Sequence, residues 1–447
     1  MARVIVVGGG AAGLVAAWRA ALRGHAVTLL EANPRVGVKL RISGGGRCNV
    51  THEGTVQELL GAFPARQARF LRHAFHAFDG RAVVALLASQ GIQTQARENG
   101  RVFPVEGPGA AVGVVAAFRA LAEGAGTTVR LGARVTGLAG LPPKIAGVWV
   151  GGQELRGDAV ILAPGGASYP GTGSRGEVAG WLEALGVPVA PWFPALAPIP
   201  LAEPLPAFEG TAFRGGILRL TAGPGGRRLA SCEGDLVFTR EGISGPAALE
   251  LSQRVEAARR EGAAWLAYDF RRLDPGVLDR EILSAQKTSP RRFVRGWLQQ
   301  WIPERVAQDL GQREGIEDLR LKDLGREARR RVLGWLTAFP LGAPRALSLE
   351  RGEVCAGGVR LEAVDPRTMR LRGWDNLFVC GELLDVDGPI GGFNLQAAFS
   401  TGFVAGEAAG DGPIGGGTPI SAEEPEGASP RASRRVAGAS QPPGIRG

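Results

Sequence analysis

The sequence has few of the residues that carry metal, disulfide or thiol chemistry. Among 447 residues there are only four cysteines and four histidines. The cysteines form neither a CxxC nor a CxxxxC pair, which argues against a redox-active disulfide and against a zinc site. The histidines show no metal-ligand spacing either. We therefore expect no metal. The residues concerned are Cys48, Cys232, Cys355, Cys380, His25, His52, His73 and His76.

The chain also lacks long apolar runs and a cationic leader. No apolar run is long enough to cross a membrane, and the first strand-like segment begins at Arg3 with no cleavable signal sequence before it. We expect a cytoplasmic protein with no membrane partner. The content of 45% hydrophobic and 21% charged residues is typical of a globular enzyme. The length predicts two or three domains.

Lysine is scarce, although the chain is basic. Only four lysines occur, so arginine carries nearly all of the positive charge behind a net charge of +9 and a pI of about 10.2. Such a balance can indicate an anionic partner such as RNA. Abundant Ala, Gly and Pro beside the arginine fit a genome-wide compositional bias equally well. Net +5 of the charge lies between Arg280 and Arg331.

The clearest motif opens the chain. An apolar run, Val4–Val7, precedes a glycine turn and a helix-compatible stretch to Arg23, and a second strand-like run ends on Glu31. Gly8, Gly10 and Gly13 have GxGxxG spacing, which suits a tight turn, close approach of a pyrophosphate and close packing of helix on strand. The phosphates would lie at the helix N-terminus, and Glu31 would accept hydrogen bonds from a ribose. This unit predicts a dinucleotide site for NAD or FAD.

A second GxGxxG, at Gly171, Gly173 and Gly176, is not interpreted as another dinucleotide site. Pro170 separates it from any strand, and no acid follows a second strand. We expect a loop that closes on the same cofactor. Since no other strand–GxGxxG–helix unit exists, the single N-terminal unit combined with a C-terminal Gly–acid–helix segment favours FAD, whose length requires further loops.

The fold class is predicted as α/β. We expect a Rossmann-like FAD-binding domain split between the chain ends, over 1–194 and 351–410. Between its halves, the insert 195–350 holds strand-like segments followed by arginine-rich helix-like segments over 280–336. A proline cluster after Ala190 marks the first boundary. The tail 411–447 has few large apolar residues and is expected to be disordered.

Four segments resemble a family of bacterial flavoproteins that includes bile-acid ene-reductase-like proteins and the ribosomal RNA dihydrouridine synthase. They are KLRISGGGRCN (39–49), GGASYP (165–170), DLVFTREGISGP (235–246) and GELLDVDGPIGGFNLQ (381–396). Cys355–Val359 and Asp365–Met369 also look like that family. The resemblance covers residues 1–410. It implies bound FAD, the split domain and an insert that reads the substrate. The insert would hold a small β-barrel, about 195–250 and 337–350, and a helical subdomain, about 251–336.

The resemblance also implies which residues hold the cofactor. Val38 stands where the family often has Arg, and Pro164 replaces the commoner Thr before Gly165, which removes one donor. Val135 would meet the adenine, Glu382 the ribitol, and the helix that starts near Asn394 the pyrimidine end of the flavin. The full predicted set is Gly8, Gly10, Ala12, Gly13, Glu31, Val38, Lys39, Gly44, Gly45, Arg47, Cys48, Asn49, Val135, Gly165, Glu382, Asp387, Gly391, Gly392, Asn394 and Leu395.

The function expected from this resemblance is reduction of an electron-poor C=C bond, with NAD(P)H as electron source. The substrate would be uridine in ribosomal RNA, held by the basic insert, or a small enone or steroid-like molecule. Cys48 is the first candidate for the proton donor, with packing against the flavin or ribitol as its alternative, and Tyr169 is the second. An RNA-binding protein with a structural FAD, and a flavin monooxygenase or oxidase, are the competing classes. The oligomeric state is left open.

Overall fold

A five-stranded parallel sheet contains both ends of the folded chain. The computed structural model describes residues 1–107, 109–270, 272 and 274–410, so the tail expected to be disordered, 411–447, lies outside the described residues. The strands are β1 (Arg3–Val7), β2 (Ala26–Leu30), β3 (Thr51–His52), β4 (Thr94–Ala96), β5 (Arg101–Pro104), β6 (Thr128–Arg130), β7 (Val135–Leu141), β8 (Lys144–Val150), β9 (Gln153–Arg156), β10 (Ala159–Leu162), β11 (Val189–Ala195), β12 (Ile199–Pro200), β13 (Ala212–Ala222), β14 (Arg228–Thr239), β15 (Gly242–Ser244), β16 (Ala264–Asp269), β17 (Phe339–Gly342), β18 (Val354–Val359) and β19 (Leu377–Val379).

The helices lie between these strands and after the last one. They are α1 (Ala11–Leu22), α2 (Val38–Gly46), α3 (Val56–Gly61), α4 (Ala65–Ala77), α5 (Gly80–Ser89), α6 (Ala110–Gly124), α7 (Glu177–Ala184), α8 (Pro246–Arg260), α9 (Pro275–Thr288), α10 (Val294–Leu298), α11 (Glu304–Arg313), α12 (Arg326–Ala338) and α13 (Phe393–Ala408). No described helix is long and apolar enough to cross a membrane.

The parallel sheet has the strand order β19-β10-β1-β2-β6. β10 is buried along its whole length, as expected for a strand covered on both faces of a parallel sheet. It pairs with β1, more than 150 residues earlier in the chain, and with β19, more than 200 residues later. The α/β class and the Rossmann-like sheet predicted from the sequence are confirmed.

Helix α13 packs along α1, and glycines permit the close approach. A Cβ atom at Gly402 would overlap the backbone oxygen of Ala12, and one at Gly406 would overlap that of Ala16. The two helices therefore run in the same direction. Because Gly402 lies nine residues after the start of α13 while Ala12 is in the first turn of α1, the N-terminus of α13 projects about 12 Å beyond the N-terminus of α1, against the helix direction.

A six-stranded antiparallel sheet, in the order β12-β15-β14-β13-β16-β17, forms a second structural centre. Its two edge strands meet just beyond their ends: Ala202 N–H donates to Ala343 O and Arg345 N–H to Pro200 O, both at 2.8 Å. This bridge curls the sheet back on itself, as in a barrel.

Two apolar clusters divide the buried side chains. One joins residues 4–187 with 359–409, and the other lies within 197–347. The second cluster includes Trp297, which is 4% exposed and whose ring centroid lies 4.2 Å from that of Trp301. This agrees with a core position for the pair. This division of the buried side chains supports a first domain that is split by an insert. The domain division itself remains a proposal.

Three local predictions need correction. The stretch expected to be helical, 251–336, contains strand β16, because Leu266 and Tyr268 alternate inward and pair with β13. The sequence also predicts a separate strand at 235–239, but this segment is the end of the long strand β14. It predicts Ser244 as the cap of the helix that begins near Pro246, but Ser244 belongs to β15, and Gly245, with an extended ψ, is the N-cap of α8.

Candidate active site

One continuous cleft, with a volume of about 440 Å³, runs past the N-termini of α1 and α13. This volume lies in the range of small-molecule and cofactor sites. The predicted residues that line it are Gly8, Gly10, Ala12, Glu31, Val38, Lys39, Gly44, Gly45, Arg47, Asn49, Val135, Gly165, Tyr169, Glu382, Gly391, Gly392, Asn394 and Leu395. The second GxGxxG loop lines the same cleft through Gly173 and Gly176, as the sequence predicts.

The glycine turn after β1 has the geometry that a pyrophosphate requires. Gly8 has a φ of +102°, and a Cβ atom there would overlap Ala163 O. A Cβ atom at Gly13 would overlap Gly8 O, so this glycine packs helix on turn and does not line the cleft. Gly10 is the N-cap of α1, and no other residue lies within 4 Å of where its Cβ would be. Gly10, Ala11 and Ala12 all line the cleft, so the first turn of the helix borders open space that an anion can fill.

Glu31 is held rigidly at the end of β2. Its Oε2 accepts from Gly9 N–H at 2.8 Å, and its Oε1 accepts from both the N–H and the Nδ2 of Asn33, each at 2.8 Å. The side chain is 8% exposed, yet it lines the cleft. A carboxylate has about four acceptor positions, so one remains for a ribose hydroxyl.

Lys39 and Glu382 form an ion pair that sequence reasoning treated as two separate contacts. Lys39 Nζ lies 2.7 Å from Glu382 Oε2 and donates to Ser168 Oγ at 2.6 Å. Cys355 N–H donates to Glu382 Oε1 at 3.1 Å. Helix α2, the loop after β10 and strand β18 are thus tied together beneath the cleft. Ser168 and Cys355 lay in resembling segments, but neither received a predicted role.

Burial keeps Cys355 a thiol. Desolvation, followed by the nearby Glu382 carboxylate, raises the pKa of Cys355 to about 12. Its Sγ accepts from Ala167 N–H at 3.1 Å. The Cys355 side chain therefore acts as a packing and hydrogen-bonding group in the network around the Lys39–Glu382 ion pair.

The segment around the triple glycine bends so that residues 42–45, Arg47 and Asn49 line the cleft. Helix α2 breaks at Ser43, and Gly44 and Gly45 take φ values of +56° and +65°. Asn49 lines the cleft, and its buried Oδ1 has no hydrogen-bond partner among the described residues. A ligand donor would satisfy this acceptor.

The N-terminus of α13 forms the far end of the cleft. Gly392 caps it with a φ of +99°, where a Cβ atom would overlap Thr51 O. Asn394 is fixed by two bonds to Gly388, with Oδ1 accepting at 2.8 Å and Nδ2 donating at 2.9 Å. The positive end of the helix dipole faces the cleft and favours negative charge there.

Besides Gly13, two predicted residues do not line the cleft. Cys48 is fully buried with a φ of 58° and does not line the cleft. Desolvation raises its pKa to about 12. The prediction that it donates a proton is therefore corrected, and packing explains it better. Asp387 also lies off the cleft, where it accepts from Gln67 Nε2 at 2.9 Å.

Several lining residues escaped sequence reasoning. At the Arg47 side, Phe103 lies under two guanidinium groups, those of Arg97 at 4.2 Å and Arg47 at 5.8 Å from its ring centroid. Arg101, Leu196 and Glu353 also line the cleft and were not predicted as site residues. The local sequence predicts only a short extended piece at 100–104, which is strand β5, and assigns no role to its side chains. No group of His, Cys, Asp or Glu in the described part of the chain could hold a metal ion.

The residues present fit a dinucleotide such as FAD. The open N-terminus of α1 suits the phosphates, and Glu31 suits a ribose. The unpartnered Asn49 Oδ1 suits a hydrogen-bond donor on the rest of the dinucleotide. The offset of about 12 Å between the two helix N-termini matches an extended ligand.

A family profile described as HI0933-like protein Rossmann domain matches residues 2–408. The ribosomal RNA dihydrouridine synthase of Escherichia coli is 28% identical over 408 residues, covering 89% of this chain and 95% of that protein. The 3-dehydro-bile acid delta(4,6)-reductase of Clostridium scindens is 29% identical over 430 residues, covering 92% of this chain and all of that protein.

Among solved structures, the 3-ketosteroid-delta4-(5alpha)-dehydrogenase of Rhodococcus jostii RHA1 superposes with a TM-score of 0.51. The match has 16% identity and covers 91% of this chain and 96% of that one. At this identity the likeness shows the fold alone.

Proposed function

The chain belongs to the HI0933-like Rossmann family, and on that basis we propose that it is an FAD-dependent oxidoreductase that reduces an electron-poor C=C bond with NAD(P)H. Uridine in ribosomal RNA is the proposed substrate. When bound, FAD would relay two electrons from NAD(P)H to the substrate. The observation that carries the proposal is the single cleft that joins the α1 and α13 N-termini and is lined by Glu31, Lys39 and Asn49.

The chain's own residues position the reaction. The α1 N-terminus and Glu31 anchor the nucleotide half, while the Lys39–Glu382 pair holds the middle of the cleft rigid. The α13 N-terminus favours the negative charge that reduction places at the far end. The described residues contain no second strand–GxGxxG–helix unit, so NAD(P)H would bind transiently against the same cleft.

A basic surface supports RNA as the substrate. Residues 290–294 and 319–322 run antiparallel and pair through their backbones, with Leu321 N–H donating to Arg292 O at 2.8 Å and Val294 N–H to Leu319 O at 2.9 Å. We call this the basic strand pair. It exposes four cationic side chains, Arg291, Arg292, Arg320 and Lys322. Phe293 lies between the guanidinium groups of Arg295 and Arg320, at 5.3 and 5.4 Å.

Phosphate binding by this surface has a measurable salt dependence. Four contacts to single-stranded phosphates would lower affinity about 50-fold between about 50 and 200 mM salt. The double variant Arg291→Glu, Arg320→Glu should weaken RNA binding and flatten the salt slope, whereas Arg227→Glu, in the exposed turn before β14, should leave the slope unchanged. Affinity independent of salt would rule out phosphate binding here.

A small enone or bile-acid-like substrate is the second candidate. It is favoured by the full-length match to the Clostridium scindens reductase. The test is anaerobic reduction of the FAD-loaded protein with NADPH, followed by mixing with ribosomal RNA or with an enone. Reoxidation by RNA, with dihydrouridine in the digest, supports the first proposal, and reoxidation by the enone alone supports the second. A flavin that NADPH does not bleach would indicate a structural FAD.

A further inference from the structure

The chain leaves the first apolar cluster and returns to it at one point beside the cleft. Strands β11 and β18 pair antiparallel, with Ala195 opposite Val354. Just beyond this pair, Glu353 N–H donates to Leu196 O at 3.1 Å. Both Leu196 and Glu353 line the cleft. Residues 197–352, which lie between them in the chain, contain the second apolar cluster and the basic strand pair. A substrate held by this segment would therefore reach the cleft at this junction.

Glu353 faces the cleft at this junction. Its side chain is accessible, and it lies two residues before Cys355, on the same side of the extended backbone. Cys355 contacts the Lys39–Glu382 pair. The cationic groups that act on the Glu353 carboxylate are Arg101, on β5, and Lys39, in the first turn of α2. Glu353 thus stands beside the middle of the cleft.

We propose that Glu353 is the acid that protonates the substrate carbon next to the one that receives the hydride. The inference rests on the proposed function. In this step the π electron pair of the C=C bond forms a new C–H bond with the carboxyl proton. The O–H bond breaks, its electrons remain on the carboxylate, and solvent restores the proton. NAD(P)H supplies the hydride and its two electrons.

The other two candidates are less well placed. Cys48 is sealed from the cleft. Tyr169 does line the cleft, but its backbone is fixed in a left-handed turn, with a φ of 52°, and its carbonyl accepts from Thr172 N–H at 2.8 Å. Four described carboxylates line the cleft. Glu31 and Glu382 are held by N–H donors or by Lys39, and Glu177 pairs with Arg134 at 2.8 Å, while no hydrogen bond engages the carboxylate of Glu353.

The surroundings of Glu353 suit a proton donor. Desolvation by the protein raises its pKa, and the positive charges of Arg101 and Lys39 offset only part of this effect. A raised carboxyl pKa keeps the proton bound to higher pH than for an ordinary glutamic acid. The proton-delivery step should therefore be fast below that pKa and should slow as pH rises through it.

The test compares Glu353→Gln with the wild type and with Glu350→Gln, which changes an exposed glutamate three residues away. Each FAD-loaded protein is reduced anaerobically with NADPH and then mixed with RNA or an enone, which need a proton at carbon, or with ferricyanide, which takes only electrons. We expect Glu353→Gln to match the wild type in the NADPH and ferricyanide steps. Its C=C step should be at least about 100-fold slower and no longer depend on pH in this range. Glu350→Gln should match the wild type throughout.

An infrared difference spectrum gives a readout other than activity. The wild-type protein should show the stretch of a protonated carboxyl that disappears on raising the pH, and Glu353→Gln should lack it. A Glu353→Gln protein that reduces the C=C bond at the wild-type rate would overturn the proposal, as would loss of the step in Tyr169→Phe but not in Glu353→Gln. If the wild type itself reduces neither RNA nor enone, the proposed function fails instead.

A folding defect would not leave the inference open. If Glu353→Gln does not retain FAD, Glu353→Asp replaces it, because aspartate keeps the acid but withdraws it by one methylene. The C=C step should then be slower, and its rate should still fall with rising pH. If the C=C step of Glu353→Asp had the wild-type rate, or a rate independent of pH, the role of Glu353 would be contradicted.

Discussion

Replacing Glu31 by glutamine tests the nucleotide anchor most sharply. The carboxylate accepts three N–H groups, one on Oε2 and two on Oε1. The amide of Glu31→Gln has one oxygen. If that oxygen faces Asn33, the new NH₂ group points at Gly9 N–H across what was a 2.8 Å hydrogen bond. One charge-assisted bond is lost, at a cost of about 1.5–3 kcal/mol to folding stability.

The same substitution removes a charged acceptor from the ribose. Losing one such bond costs a further 1.5–3 kcal/mol, roughly, in binding, which corresponds to about a 10- to 150-fold rise in the Kd for FAD. Fluorescence titration of FAD into the cofactor-free protein measures the Kd, and urea unfolding measures the stability. Glu203→Gln, at an exposed position outside the cleft, is the control. A Kd for Glu31→Gln within about threefold of the wild type would refute this account of Glu31.

Three further predictions follow from the hydrogen-bond and ion-pair geometry. Lys39→Met should lower the free energy of unfolding by about 2 kcal/mol, because Glu382 is left partly buried without its cation; adding Glu382→Gln should recover part of the loss in urea melts. Cys48→Ala should leave the rate of the C=C step within about fivefold of the wild type in stopped-flow assays, since its thiol is sealed from the cleft. Although desolvation opposes it, hydrogen bonds from Arg259, Leu347 N–H and Arg260 lower the pKa of Glu256 to about 2. A lowered carboxyl pKa stabilises the fold above its ordinary value of 4.5, and this contribution disappears as pH falls towards 2. Glu256→Gln should therefore be less stable than the wild type by about 3 kcal/mol at neutral pH, and pH-dependent unfolding should show the gap closing in acid.

Local patterns predicted the N-terminal unit well because its parts are neighbours in the chain. The turn from Gly8 to Gly13 and the acid Glu31 need only one strand–helix–strand segment to come together. The Lys39–Glu382 pair joins residues 343 positions apart, and no local pattern could predict it. The resemblance placed both residues near the cofactor without revealing that they bind each other.

The errors have a similar origin. Cys48 lies next to a glycine run that does line the cleft, but the left-handed residues Gly44 and Gly45 turn the chain so that Asn49 faces the cleft and Cys48 faces the core. Glu353 was missed for the opposite reason. Nothing in its own segment marks it, and its position follows from the pairing of β11 with β18 across the whole insert.

Nucleoside mass spectrometry of ribosomal RNA from a strain lacking this gene tests the central claim most directly. The account predicts that dihydrouridine disappears from one ribosomal RNA position and returns when the gene is restored. Restoring it with Glu31→Gln, which weakens the FAD anchor, should recover less of the modification. Dihydrouridine unchanged in the deletion strain would contradict ribosomal RNA as the substrate.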